Sequence, residues 1–180
     1  TIYRDGEGIP VVLVHAFPID HHLWDDCAAE LIVRANAAGL PRFPIWAPDM
    51  PGAGEGPIPT AEQTGAIAQD GAYTEALDRM ADAYVDLIRK AGFTKAIWVG
   101  LSMGGYLVLD IQRLHPEAVA GLALCDTKAD ADSAASRANR LRIADICTTE
   151  RTVDPVMHFA EPQPGDSTIK RAPRFIRQFT

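Results

Sequence analysis

The sequence predicts an α/β protein with a mostly parallel, doubly wound sheet. Two observations predict this fold class. Short, mostly apolar runs recur between residues 9 and 126, and amphipathic helical patterns separate them. Strands that are covered on both faces have this continuous apolar character. Strands that alternate with helices form parallel sheets with right-handed crossovers.

The first half of the chain supplies two strands and one helix. The first strand lies within Ile9–Phe17, a run that contains three valines. An amphipathic helix follows from about residue 25 to residue 38, and Gly39 ends it. A second, short strand lies near residues 44–47. We expect residues 52–71, which are rich in Gly, Pro, Ala and Gln, to form a long surface loop.

The next elements alternate in the same way. A helix is predicted over about residues 73–91, where one face is apolar and the other carries aspartates, and Gly92 ends it. A strand at Ala96–Val99 leads into a helix over about residues 103–114. The run Val119–Asp126 predicts another buried strand.

The pattern changes after this strand, which predicts two regions. We expect residues 1–126 to form the core and residues 127–180 to form an incomplete helical cap over the strand ends. Within the cap, residues 133–146 are helical in character, residues 162–165 form a Pro/Gly break, and residues 169–179 form a short basic helix. This region contains no predicted strand.

Composition limits the function. The chain has 180 residues and a formal net charge of −7, and it has no basic cluster and no long apolar run. These features argue against binding to nucleic acid or to a membrane. The widely spaced Cys27, Cys125 and Cys147 suggest reduced thiols in a cytoplasmic protein with no zinc site. The chain begins at Thr1, so the absence of a visible signal peptide leaves a removed segment open.

One motif in the sequence indicates a catalytic function. In Gly100-Leu101-Ser102-Met103-Gly104, a serine stands between two glycines where a strand meets a helix. A nucleophile at such a turn occupies a strained backbone position, and glycines keep the neighbouring places free of Cβ atoms. We therefore predict that Ser102 is a nucleophile. The alternative is a small residue in a tight turn, because five-residue matches occur by chance.

Two backbone N–H groups are candidates for an oxyanion hole, which stabilises negative charge on a reacting carbonyl oxygen. The N–H of Met103 lies at the N-terminus of the helix after the serine, where negative charge is favoured. The N–H of Phe17 follows the end of the first buried strand. Because the carboxyl ends of parallel strands share one edge of the sheet, we expect both groups at the same edge.

These motifs resemble the α/β-hydrolase family over residues 8–126. His15-Ala16-Phe17-Pro18 resembles the family's His-Gly-Phe-Pro oxyanion loop, with Ala16 in place of Gly. Asp49–Gly54 is similar to the family's Asp-x-x-Gly-x-Gly turn, and Gly100–Gly105 is similar to its nucleophile elbow. The stretches "LALCDTKADAD" and "FPIDHHLWDD" most resemble small-molecule esterases and lactonases of the 3-oxoadipate enol-lactonase type.

The resemblance implies a catalytic triad in the order Ser, acid, His. Asp126 follows a buried strand and is either the acid or a cap for the start of the insert. His115 lies about three helical turns beyond Ser102, too far to act as its base. His158 lies before the Pro/Gly break, a poor place for a rigidly held base. No seventh or eighth strand is visible, so we expect the triad histidine to lie outside this sequence.

The remaining polar and aromatic candidates have mainly structural interpretations. We expect His15 to bond beneath the oxyanion loop, and Asp49 to hold its own turn. His21 and His22 are more typical of exposed polar residues, although His22 is a candidate for the pocket lining. Trp24 is a packing residue or a pocket wall.

The sequence therefore predicts a serine hydrolase that acts on a small ester, thioester or lactone, with no cofactor and no metal. A cofactor-free perhydrolase, a C–C hydrolase and a non-catalytic ligand-binding protein on the same scaffold stay open, because fold alone does not choose among them. Homo-oligomer formation also stays open.

Overall fold

The computed structural model describes residues 1–160. The chain divides into two compact units, residues 1–130 and residues 131–180. The first unit contains all the strands of the described residues, and the second contributes helices. The predicted Pro/Gly break at residues 162–165 and the predicted helix at residues 169–179 lie outside the described residues.

The first unit is built on one five-stranded sheet. Its strands are β1 (Ile2–Arg4), β2 (Val11–Val14), β3 (Ile45–Trp46), β4 (Ala96–Leu101) and β5 (Val119–Cys125). They lie in the order β1-β3-β2-β4-β5. β2 is parallel to β3 and β4, and β4 is parallel to β5, which confirms the parallel sheet. β1 was not predicted, and it pairs with β3 in the antiparallel direction.

Three long helices follow the strands. They are α1 (Asp25–Ala37), α3 (Ala76–Lys90) and α4 (Met103–Leu114), close to their predicted positions. The predicted long loop contains a one-turn helix, α2 (Ala61–Thr64), which Thr60 and Gln63 cap reciprocally. Short 3₁₀ turns cover His21–Trp24 and Pro116–Ala118. In the second unit, the described helices are α5 (Ala134–Glu150) and α6 (Asp154–Ala160).

The sheet has a hydrophobic cluster on each face. On one face, Trp98 and Val12 pack with buried residues of α3 and α4, such as Val85 and Val108. On the other face, apolar residues of β2 and β3 pack with Ala28 of α1 and with Trp24. Burial on both faces explains why the strands appear in the sequence as continuous apolar runs.

β5 is less covered than the central strands. It forms one edge of the described sheet. Leu122 is 37% exposed and Leu124 is 48% exposed, whereas Trp98 on the neighbouring strand is fully buried. The burial of β5 was therefore overpredicted, because residues on alternate positions of the strand face solvent. None of the described helices combines the length and the apolar character needed to cross a bilayer.

Candidate active site

Ser102 occupies the sharp turn that joins β4 to α4. Its backbone has φ 51° and ψ −112°, a left-handed conformation that is rare for a residue with a Cβ. Such strain persists only where the surrounding structure enforces it, and it is concentrated at functional sites. Within residues 1–160, the Ser102 hydroxyl makes no hydrogen bond, so it is available to a ligand.

The glycines on either side allow this turn to pack tightly. A Cβ on Gly100 would lie 2.7 Å from the nitrogen of Gly105, and one on Gly104 would lie 2.7 Å from the carbonyl oxygen of His15. Real Cβ atoms essentially never come within 3.0 Å of another heavy atom in this way. The close approach at Gly104 places the first turn of α4 directly against the end of β2.

The end of β5 fixes the peptide groups on both sides of Ser102. The Ser102 N–H donates to the Cys125 carbonyl at 3.0 Å. The Ser102 carbonyl accepts from the Gly105 N–H at 2.9 Å and from the Thr127 hydroxyl at 2.8 Å. Sequence reasoning missed Thr127, and no local signal could have found it, because the contact joins residues 25 positions apart.

Phe17 and Met103 offer two N–H groups at the same edge of the sheet. Phe17 follows β2, and Met103 begins α4, which approaches the end of β2 through Gly104. Neither N–H donates a hydrogen bond within the described part of the chain. Unsatisfied N–H groups at a helix start are suited to binding an anion or an oxyanion.

His15 supports the loop from below, as expected. Its ring is buried, and Nε2 accepts a hydrogen bond from the Met50 N–H at 2.8 Å. Because Nε2 is the acceptor, the proton is on Nδ1, which lies 2.9 Å from the Ala16 carbonyl. Ala16 is not among the described residues with positive φ, so the loop accommodates alanine where the family pattern has glycine.

His21 is buried, so the expectation that it is exposed was wrong. Its ring Nδ1 lies 2.9 Å from Asp49, which also accepts from the N–H groups of His21 and Glu55. Burial alone would raise the pKa of Asp49, but these hydrogen bonds outweigh it and lower the pKa below its usual range. Asp49 therefore holds its own turn, as predicted, and also ties it to the 3₁₀ turn at His21.

His22 is exposed, as expected, and pairs with Asp20 at 2.9 Å. The hydrogen bond that the His22 ring donates to the Asp20 carboxylate raises the pKa of His22. Burial favours a higher pKa for Asp20, but its hydrogen bonds from His22 outweigh burial and lower that pKa.

Asp20, His21 and His22 have ligand atoms within 4.8 Å of one another, a spacing compatible with a metal ion. Both rings already bond a carboxylate, so a metal would have to displace these hydrogen bonds.

The other candidates are placed as follows. His115 ends α4 and bonds Asp82 at 2.7 Å, which confirms its structural interpretation. Asp126 is exposed and has φ 41°. Asp126 does not cap the insert, because Ser133 caps α5 through a bond from the Ser136 N–H. Trp24 is only 7% exposed and packs in the cluster on the α1 face.

Comparison with known proteins identifies the class. A model of the α/β hydrolase fold matches residues 9–145. The chain therefore belongs to the α/β-hydrolase fold family. None of the curated proteins compared with the chain matches it.

Solved structures give the same fold. The chain is similar to a thermophilic esterase from Thermogutta terrifontis, solved with malate bound, with 30% identity and a TM-score of 0.76 over 99% of this chain and 59% of that one. It is also similar to an enol-lactonase from Burkholderia xenovorans LB400, with 18% identity and a TM-score of 0.71 over 99% of this chain and 62% of that one. At this identity the lactonase supports the fold alone, so the enol-lactonase-like type stays a prediction. The chain spans 59% and 62% of the length of these two structures.

Proposed function

We propose that the protein is a serine hydrolase that cleaves a small carboxylic ester, thioester or lactone through an acyl-enzyme on Ser102. The observation that carries this proposal is the strained backbone of Ser102, with its unbonded hydroxyl at the carboxyl edge of the sheet. A serine that only filled a tight turn would gain nothing from this strain. The 30% identity to an esterase supports the same chemistry.

In this proposal, the Ser102 hydroxyl oxygen attacks the substrate carbonyl carbon, and the carbonyl π electrons move to its oxygen. The N–H groups of Phe17 and Met103 bind that oxyanion. Collapse of the tetrahedral intermediate expels the alcohol or thiol, which takes the proton that Ser102 gave up, and water then releases the acid. A donor in such a hole is worth about a hundredfold or more in rate.

The base that takes the serine proton needs a free ring nitrogen near Ser102. Among residues 1–130, none of the histidine rings bonds the Ser102 hydroxyl; they bond instead the Met50 N–H (His15), Asp49 (His21), Asp20 (His22) and Asp82 (His115). The proposal therefore assigns the base to none of these four histidines.

The test of the proposed function is covalent labelling. We expect a fluorophosphonate probe to form one adduct, mapped by peptide mass spectrometry to Ser102. Ser102→Ala should abolish the adduct and lower p-nitrophenyl acetate turnover by several orders of magnitude with unchanged far-UV circular dichroism. Ser136→Ala, at an exposed serine of α5, is the matched control and should behave like the wild type. Normal turnover by Ser102→Ala would refute the proposal.

A further inference from the structure

We propose that Thr127 is a positioning residue for the oxyanion hole, an inference that rests on the proposed function. Thr127 lies two residues beyond β5, and its hydroxyl donates to the carbonyl of Ser102 at 2.8 Å. The same side chain fills the space that Gly105 leaves open, where a Cβ would lie 2.5 Å from Thr127 Cγ2 and closer still to its Oγ1. The side chain thus lies against the start of α4 at both Ser102 and Gly105.

The carbonyl that Thr127 binds is part of a peptide unit with a second role. The C=O of Ser102 and the N–H of Met103 belong to the same planar trans unit, so they point in opposite directions. A hydrogen bond that fixes the direction of the Ser102 carbonyl therefore also fixes the direction of the Met103 N–H. That N–H is one of the two proposed oxyanion donors, so Thr127 would act on the oxyanion through the Ser102 carbonyl.

The Thr127 hydroxyl also strengthens the Met103 N–H as a hydrogen-bond donor. Hydrogen bonds in a chain polarise one another, and a donor on a carbonyl makes the N–H of the same peptide unit more acidic in character. The Gly105 N–H binds the same carbonyl at 2.9 Å, so the Ser102–Met103 peptide unit carries two donors on its oxygen. Removing the Thr127 hydroxyl leaves only the Gly105 donor, so the direction of the peptide unit beside the strained Ser102 backbone is held less firmly.

The bonds that join Ser102 to Cys125 and to Thr127 have separable functions. The bond from the Ser102 N–H to Cys125 holds the peptide unit before the serine, and the Thr127 bond holds the unit after it. Because the backbone angles of Ser102 are set by the relative orientation of these two units, the pair holds φ and ψ in their strained values. Only the second bond depends on a side chain, so only that one can be tested by substitution.

The test compares Thr127→Val, which keeps the shape but removes the hydroxyl, with Thr127→Ser, which keeps the hydroxyl. We expect Thr127→Val to slow fluorophosphonate labelling of Ser102 and to lower kcat by about tenfold or more, with KM little changed. Thr127→Ser should restore both rates to near the wild-type values. Thr148→Val is the matched control, because the Thr148 hydroxyl also donates to a carbonyl, that of Ala144, at 2.8 Å.

Three outcomes overturn the inference. One is that the fluorophosphonate labels Ser102 of the Thr127→Val variant at the wild-type rate. Another is equal slowing in Thr127→Val and Thr127→Ser, which would assign the effect to packing against Gly105. If Thr127→Val fails to fold, the labelling rates of Thr127→Cys and Thr127→Ser are compared instead. The cysteine thiol is similar in size to the serine hydroxyl but is a weak hydrogen-bond donor. Equal labelling rates for these two variants are the third outcome that refutes the inference. A wild-type protein that forms no Ser102 adduct refutes the proposed function instead.

Discussion

Asp110 of α4 has a buried carboxylate, and only one of its two oxygens has a hydrogen-bond partner among the described residues. Its Oδ1 accepts from the Arg113 guanidinium at 2.7 Å, and Arg113 also reaches Asp78. Its Oδ2 is buried without a partner among the described residues. Burial raises the pKa of Asp110, and the opposing effect of Arg113 does not cancel it.

The raised pKa predicts how stability changes with pH. Because the folded state holds the Asp110 proton more tightly than the unfolded state, the stability contributed by this group is present below the unfolded pKa, about 4. It is lost as pH rises through the folded pKa. Asp110→Asn cannot ionise, so its free energy of unfolding should improve relative to the wild type as pH rises from below the unfolded pKa, about 4, to neutral pH. Urea titrations at each pH measure the difference, and a difference that is flat or that favours the wild type at high pH contradicts the prediction.

Individual residues differ in how far their roles could be predicted from sequence. The position of Ser102 was predictable, because its flanking glycines and the strand-to-helix change are adjacent in the chain. The burial of His21 and the bond from Thr127 to Ser102 were not, because their partners Asp49 and Ser102 lie 28 and 25 positions away. Polar contacts across strands leave no periodic pattern in the sequence.

At the level of elements, the contact between α4 and β2 is expected to control both stability and activity. Gly104→Ala would place a Cβ against the Val14 and His15 carbonyls, so the helix start must move away from the strand end. Overpacking of this kind typically costs about 1–3 kcal/mol of unfolding free energy. The same shift moves the Met103 N–H, so the rate of Ser102 labelling should fall as well.

Gly121→Ala of β5 is the control for this prediction. A Cβ there would lie 3.7 Å from Ile97, an ordinary van der Waals contact. We expect its unfolding free energy to stay within about 1 kcal/mol of the wild type, and its labelling rate to be unchanged. If Gly104→Ala is equally harmless in urea titration and labelling, the helix start is not fixed by this contact.

The elements that sequence reasoning missed are short. β1 has three residues and depends on pairing with β3 and on Arg4, whose Nε donates to the Phe43 carbonyl at 2.8 Å. α2 has four residues and depends on its cap. The long helices and the central strands were predictable because periodicity and apolar runs extend over enough residues to be recognised.

At the level of the whole molecule, two features oppose each other in solution. The net charge of −7 favours separation of chains. The edge strand β5, with its half-exposed Leu124, favours association, because unpaired strand edges beside apolar side chains pair readily with other chains. Among residues 1–160 this edge of the sheet is unpaired, and its effect is local, so we expect it to determine association once chains meet at high concentration.

Leu124→Lys tests this expectation. A lysine on an edge strand opposes pairing with a second chain, so the variant should stay at its monomer mass at concentrations where the wild type grows heavier in size-exclusion chromatography with light scattering. Leu87→Lys is the matched control: Leu87 is 42% exposed on α3, away from the sheet edge, and the change in charge is the same. If both variants suppress association equally, net charge rather than the β5 edge controls it. A wild type that remains monomeric throughout would show that the edge does not drive self-association.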